Sequence, residues 1–261
     1  MAHTIYSNFV LANEIEDQYN SYLDLARFCT VDNSLVGTPG MIKKINVYTA
    51  TNGTEDLAMG AGNSKDIEVT YAQKEYEILM AQNRFKYFDE QEMTDPMVVE
   101  TGLKHMAVDM FNHVNGKIFA EFNKATLAHT ATTPDFGCFA DAAALLNVEN
   151  LEGMGLFGFV NPKDMAKIRK ALKEDLKYVE AFAKQGYVGT VAGISLYTKK
   201  DAVENTIIIG SKDAVTLFNK RGVEVEQERD ADIRQNAIWS RKYFLPALTD
   251  ATKAVKITIG G

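Results

Sequence analysis

The spacing of apolar positions changes repeatedly along this chain, and each change predicts an element. Across residues 8–29, Leu11, Ile15, Tyr22, Leu25 and Cys29 recur at helical spacings on an otherwise polar stretch. So narrow a stripe predicts a helix lying on another surface, of its own domain or of a neighbour, rather than in a core. After the turn signal Thr38-Pro39-Gly40, Ile45 and Val47 alternate with Asn46 and Tyr48. Further on, Ile67, Val69 and Tyr71 alternate with Glu68 and Thr70, and both runs predict short half-buried strands. Between them, residues 50–66 hold three glycines and almost no large apolar side chain. Connections longer than about 15 residues are unusual inside a compact domain and are normally functional or disordered. The segment is therefore expected to form an extended hairpin reaching outward.

Thr94-Asp95-Pro96 starts a helix: Asp95 can cap it, and Pro96 at the first helical position needs no donor. Val99, Leu103, Met106, Met110, Val114, Ile118 and Phe122 then recur every three or four residues. With its end placed near Ala128, the helix is expected to run roughly 48 Å at 1.5 Å per residue. A helix of that length is a spine that one small domain cannot cover around its girth. The rest reads as alternating helix and strand. A strand is expected at 157–160 and a helix opened by Asn161-Pro162, with Met165, Ile168 and Leu172 on one face. Strands follow at 188–197 and 206–209, then a short helix from Gly210-Ser211 carrying Ala214, Val215 and Phe218 and ended by Gly222. An exposed acidic strand is expected at 223–232, and strands at 243–248 and 255–259 close the chain.

Composition narrows the function. The 261 residues are 46% hydrophobic and 24% charged, ordinary for a globular protein with a sizeable core. A net charge of −7, with no concentrated run of Lys or Arg, argues against gripping nucleic acid through its phosphates. Cys29 and Cys138 lack any CxxC spacing, so two reduced, buried thiols are expected rather than a disulfide or a zinc site. The start lacks the marks of a signal peptide, and no apolar run reaches the ~20 residues of a membrane helix.

Few groupings suggest chemistry. Gly153-Met154-Gly155-Leu156-Phe157-Gly158 matches GxGxxG, but the dinucleotide fingerprint must follow a strand and open a helix. Here the glycines precede a strand, and a loop is the better reading. His105, Asp109 and His113 share one face of the long helix at i, i+4 and i+8. One straight helix seldom supplies three ligands to a metal, so a polar face is expected and no metal. The carboxylates of residues 224–230 alternate with valine and read as a solvated or interface face. No catalytic residue and no cofactor is assigned, and the chain is not expected to be an enzyme.

In element order, and in the wording of its C-terminal half, the chain resembles the tailed-phage major capsid proteins of the Hong Kong 97 type. The resemblance is carried by Phe159-Val160-Asn161-Pro162-Lys163-Asp164 entering a helix and by Gly186-Tyr187-Val188-Gly189-Thr190-Val191-Ala192-Gly193-Ile194 entering a strand. Ile208-Ile209-Gly210-Ser211-Lys212-Asp213-Ala214-Val215 and Val223-Glu224-Val225-Glu226 complete it. It implies an α+β fold with an N-terminal arm over 1–36 and an extended loop over 37–75. A peripheral domain holding the spine helix would comprise 76–129 and 222–248. An α/β axial domain would comprise 130–221 and 249–261.

The implied function is a virion capsid subunit, self-assembling as pentamers and hexamers into an icosahedral shell around double-stranded DNA, without sequence-specific binding and without a membrane. Its implied partners are itself, a separate scaffolding protein, a portal and a decoration protein, with assembly in the host bacterial cytoplasm. Some relatives carry a long scaffolding segment ahead of the arm, which this sequence does not show. Some cross-link a loop lysine to a distant asparagine, and Lys65 lies near the loop tip, but no partner for it can be matched. The alternatives are an encapsulin-type nanocompartment shell and, from another class, a nucleotide- or metal-dependent enzyme built on residues 153–158 or on His105, Asp109 and His113.

Overall fold

Two sheets share one long helix, and the two ends of that helix do different work. The computed structural model describes residues 24–147, 155–173 and 189–260. Strands β1 (Thr30–Asp32), β4 (Leu79–Phe88), β10 (Val215–Asp230) and β11 (Gln235–Leu248) form a sheet of order β1-β10-β11-β4. Strands β5 (Leu127–Ala131), β6 (Phe157–Val160), β7 (Thr190–Val191), β8 (Ile194–Thr198), β9 (Thr206–Gly210) and β12 (Ala254–Ile259) form a second, of order β5-β12-β9-β6-β8-β7. The remaining pair, β2 (Ile42–Ala50) and β3 (Val69–Glu77), stands alone as a two-stranded antiparallel hairpin. The helices are α1 (Asp89–Thr94), α2 (Met97–Phe122), α3 (Phe136–Ala144) and α4 (Pro162–Ala171).

The six-stranded sheet is covered on both faces, which is why its strands read as continuous apolar runs. Ile207 and Ile209 of β9 face a core shared with Phe139 and Ala142 of α3 and with Met165 and Ile168 of α4. Ile208, one residue out of phase, faces the opposite core with Phe157, Phe159 and the C-terminal turns of α2. There Ile118, Phe119 and Phe122 meet Phe157 and Phe159, and the Phe122 ring lies 5.6 Å from each of the latter two, edge-on. The N-terminal half of α2 instead crosses the four-stranded sheet. Gly102 permits that crossing, because a Cβ there would stand 2.5 Å from the ring of Phe85 on β4.

Several expected elements are formed as read. Asn161 caps α4 by accepting from Lys163 N at 2.9 Å, and Met165 and Ile168 are buried on one face. Asp95 accepts from Met97 N at the head of the long helix.

Others are corrected. The long helix stops at Phe122, about 39 Å from its start. Residues 127–131 leave it because β12, from the far end of the chain, pairs with them in parallel from Val255↔Leu127 to Ile259↔Ala131. The short helix expected after Gly210-Ser211 is a strand. Val215 and Leu217 are buried on β10, which pairs with β1 on one side and β11 on the other. Apolar residues at 214, 215 and 218 fit a helix in isolation; two flanking strands override that preference.

The helix expected over 8–29 lies largely outside the described residues. Its described end, Leu25–Phe28, is a 3-10 turn, and Leu25 and Cys29 are fully buried in the core beside α2 rather than laid on a surface. Strand β4 and helix α3 were not foreseen from the sequence.

Candidate functional site

Among the described residues, His105, Asp109 and His113 are not brought together at one site. Asp109 accepts from Asn83 Nδ2 at 3.2 Å, and the same amide donates to the carbonyl of Met106 at 2.8 Å, so this face of α2 is fastened to β4. His105 lines the shallow cleft there with Asp109, while His113 lies two turns along from His105 and outside it. No group of three or more metal-binding side chains occurs among the described residues.

Of the GxGxxG match, Gly153 and Met154 lie outside the described residues. Gly158 sits inside β6, where a Cβ would come 3.0 Å from Leu196 of β8. That glycine fits the close packing of the strands. The next helix opens only at Pro162, behind its own cap, so the motif presents no helix N-terminus to a pyrophosphate.

What stands out instead is apolar surface that the described residues leave bare. Strands β2 and β3 were expected to be half-buried; nearly every position of both is exposed. Among the described residues the hairpin touches the body only at its base. There Ile78 N donates to Met41 O at 2.8 Å, Tyr76 Oη donates to Leu248 O at 3.3 Å, and the Lys43 ammonium lies 5.3 Å over the Phe218 ring.

Register decides which side chains share a face. Val47 opposes Ala72, whereas Tyr48 opposes Tyr71 and Ala50 opposes Val69. Directly opposed residues in an antiparallel pair point the same way. One face therefore presents Tyr48, Tyr71 and Val69, at 65%, 67% and 61% exposure, and the other presents Ile45 and Val47.

Beyond the strands the connecting segment is organised. Glu55 accepts from both the backbone N–H and the hydroxyl of Ser64, and those bonds hold its carboxyl below the usual carboxylate range. Met59 stands fully in solvent nearby, and Leu57 is about half exposed.

A second bare region lies where the N-terminal half of α2 meets the β10–β11 ribbon. Val223 and Val225, which alternate with glutamates in the sequence, line a groove together with Leu103, Met106 and Met110 of the helix. Glu226 and Glu228 face the other way beside Trp239 and Arg241. The expected acidic strand is thus present, with its valines lining a groove under the spine. The sequence carried both halves of this groove as separate patterns, and only their juxtaposition was hidden.

The thiols are buried and free. Burial, reinforced by Asp24, pushes Cys29 up to about 12. Burial, then Asp135 and Asp141, pushes Cys138 up to about 11. Neither is a nucleophile at neutral pH.

Comparison with known proteins accords with a surface built for neighbours. The chain is 28% identical to a protein named "Major capsid protein" from Staphylococcus phage phiMR11, over 96% of this chain and 92% of that one. Its fold superposes on the mature capsid subunit of bacteriophage PhiM1 with a TM-score of 0.70 at 11% identity, covering 99% of this chain and 90% of that one. The virus-like particle from Pyrococcus furiosus gives a TM-score of 0.62 at 14% identity, covering 94% and 96%. No family model matches the chain. The architecture is the α+β capsid fold of the Hong Kong 97 type.

Proposed function

We infer that this chain is a tailed-phage major capsid protein of the Hong Kong 97 type, a structural subunit that self-assembles into the shell of a virion. The likeness to the phiMR11 protein, running over 96% of this chain, carries the reading. The geometry supplies a physical reason. An isolated two-stranded hairpin is at best marginal in water, yet this one holds Tyr48, Tyr71 and Val69 in solvent on one face and Val47 on the other. A neighbouring subunit laid across the hairpin would bury that surface. Contacts of this kind can each be weak, because closing a ring or shell makes the later ones effectively intramolecular.

The finer reading follows from the same premise. Subunits form pentamers and hexamers of an icosahedral shell enclosing double-stranded DNA without sequence-specific contacts, and the net charge of −7 suits a wall that does not hold the genome. A separate scaffolding protein, a portal and a decoration protein are its partners, and assembly takes place in the host bacterial cytoplasm.

The division into arm (1–36), extended loop (37–75), peripheral domain (76–129 with 222–248) and axial domain (130–221 with 249–261) belongs to this reading. In its support, β4 and the β10–β11 ribbon belong to one sheet, and β5 to β9 with β12 form the other. The chain is not an enzyme and holds no metal or cofactor on this reading. An encapsulin-type shell would share the fold, but the sequence likeness runs to the phage protein.

Negative-stain imaging and light scattering of the purified protein, with scaffold supplied, should give closed shells. Nuclease-protected DNA inside particles from infected cells would separate a capsid from a compartment for protein cargo. A species that stays monomeric at every concentration, with and without scaffold, would sink the reading.

A further inference from the structure

Two Asn-Gly pairs occur in the sequence, Asn52-Gly53 in the hairpin connector and Asn115-Gly116 within α2. An asparagine side chain can cyclise onto the amide nitrogen of the next residue, and glycine, having no side chain, hinders that attack least. The fold withdraws Asn115 from this reaction. Its side chain is 4% exposed, Oδ1 accepts from Leu25 N at 3.1 Å, and its peptide is fixed in helical conformation. The described Asn-Ser pairs are tied down as well. Ser34 N donates to Asp32 Oδ1 at 2.7 Å, while Asn33 Oδ1 accepts from Asn219 Nδ2 at 3.0 Å. Ser64 N donates to the Glu55 carboxylate, which engages the nitrogen that Asn63 would need.

Asn52 has none of these restraints. It is exposed, just past Ala50 at the end of β2. Among the described residues, neither its side chain nor the Gly53 N–H makes a hydrogen bond. The glycine beside it is dictated by the fold: a Cβ there would stand 2.8 Å from both Ile67 N and Ile67 Cγ1 and 2.9 Å from the Asp66 carbonyl carbon. The close crossing that demands glycine thus leaves Asn52 next to the least hindered nucleophile.

We propose that Asn52 is a site of spontaneous deamidation in the folded subunit, with water as the only co-reactant. The Gly53 amide nitrogen gives its proton to hydroxide and attacks Asn52 Cγ. The Cγ–Nδ2 bond breaks, Nδ2 takes up a proton and leaves as ammonia, and a cyclic succinimide remains. Water then adds to either ring carbonyl and the ring C–N bond there opens, giving aspartate or isoaspartate at position 52. Either product places a new negative charge near Asp66 and Glu68, whose carbonyl already accepts from Thr51 N at 3.0 Å. Isoaspartate also lengthens the main chain where it crosses Ile67. The hairpin connector therefore ages chemically while α2 does not. The inference concerns the single subunit and holds whether or not shells form.

Peptide mapping tests it. The full chain is incubated in mildly alkaline buffer, once folded and once in denaturing urea, and tryptic peptides are sequenced by mass spectrometry. A methyltransferase specific for isoaspartate counts that product separately. In the folded chain Asn52 should convert about tenfold or more faster than Asn33, Asn63 or Asn115, because each of those needs local or global opening first. The rate at Asn52 should rise with hydroxide concentration. In urea Asn115 should climb to match Asn52, since only the fold separates the two pairs. Asn52→Gln should remove methyl acceptance from the folded chain. Conversion at Asn52 no faster than at Asn115 in the folded chain overturns the proposal, and so does conversion at Asn52 that begins only on denaturation.

Discussion

The six-stranded sheet and the β2–β3 hairpin use much the same residues to opposite ends. Ile207, Ile208 and Ile209 on β9 are at most 1% exposed, whereas Tyr48, Val69 and Tyr71 on the hairpin are all above 60%. Both are built from β-branched and aromatic side chains with good strand propensity. What differs is cover. Two helices close one face of the sheet and the end of α2 closes the other, while nothing among the described residues reaches the hairpin beyond its base. Strand-forming residues therefore say where strands form. Whether a strand belongs to the core or to a neighbour is settled by what lies over it.

That contrast can be broken at its dry end. Phe159→Ala removes a fully buried ring packed against Phe119, Phe122 and Phe157. The variant should lose about 3–5 kcal/mol, lowering the melting temperature by on the order of 10 °C in a calorimetric scan. A shift of a degree or two would mean that the junction of α2 with the sheet is looser than described.

A smaller effect sharpens the comparison through pH. In the folded state burial raises Cys29 from an ordinary 9.0 to about 12 and Cys138 from 9.0 to about 11. Both are held as thiols where the unfolded chain would release protons. Their contribution to stability is therefore complete below pH 9 and is lost as pH climbs through 11 and 12. Ellman's reagent at pH 8 should find almost no reactive thiol until the protein is denatured. Fast labelling of the native protein would show that these sites open readily.

The least effect on the subunit is expected at the wet end. Ala50 and Val69 are the last paired residues of the hairpin, so an Asn-Gly turn replacing residues 51–68 joins them with a tight two-residue connection. Stability should change by no more than about 0.5 kcal/mol, as for other exposed sites, while shell formation is lost or crippled. Normal shells from the shortened chain would show that the segment is not a clasp between subunits.

Much of this was legible in the order of apolar positions. The stripe from Val99 to Phe122 marked the spine, and the Asn161-Pro162 start placed α4 to the residue. The long glycine-bearing connection marked the hairpin. These signals are local, since helical spacing, capping and turn chemistry act within a few residues. The misreadings share one cause. Residues 215–218 and 127–131 are strands because partners distant in the chain pair with them, and Leu25 and Cys29 are core because α2 lies beside them. The groove under the spine was written as two separate patterns, the helix stripe and the alternating valines, with no local sign that they meet.

Local physical chemistry thus determined the spine helix, the capped start of α4, the two strands of the hairpin, the acidic net charge and the resemblance to phage capsid subunits. Tertiary structure decided the rest. It set the hairpin register that places Val69 and Tyr71 with Tyr48 rather than with Val47, and it set how far each strand extends and which apolar faces stay bare. Those outcomes depend on which distant segments come to lie against one another, and the free energy of burial is a property of the pair rather than of either strand alone.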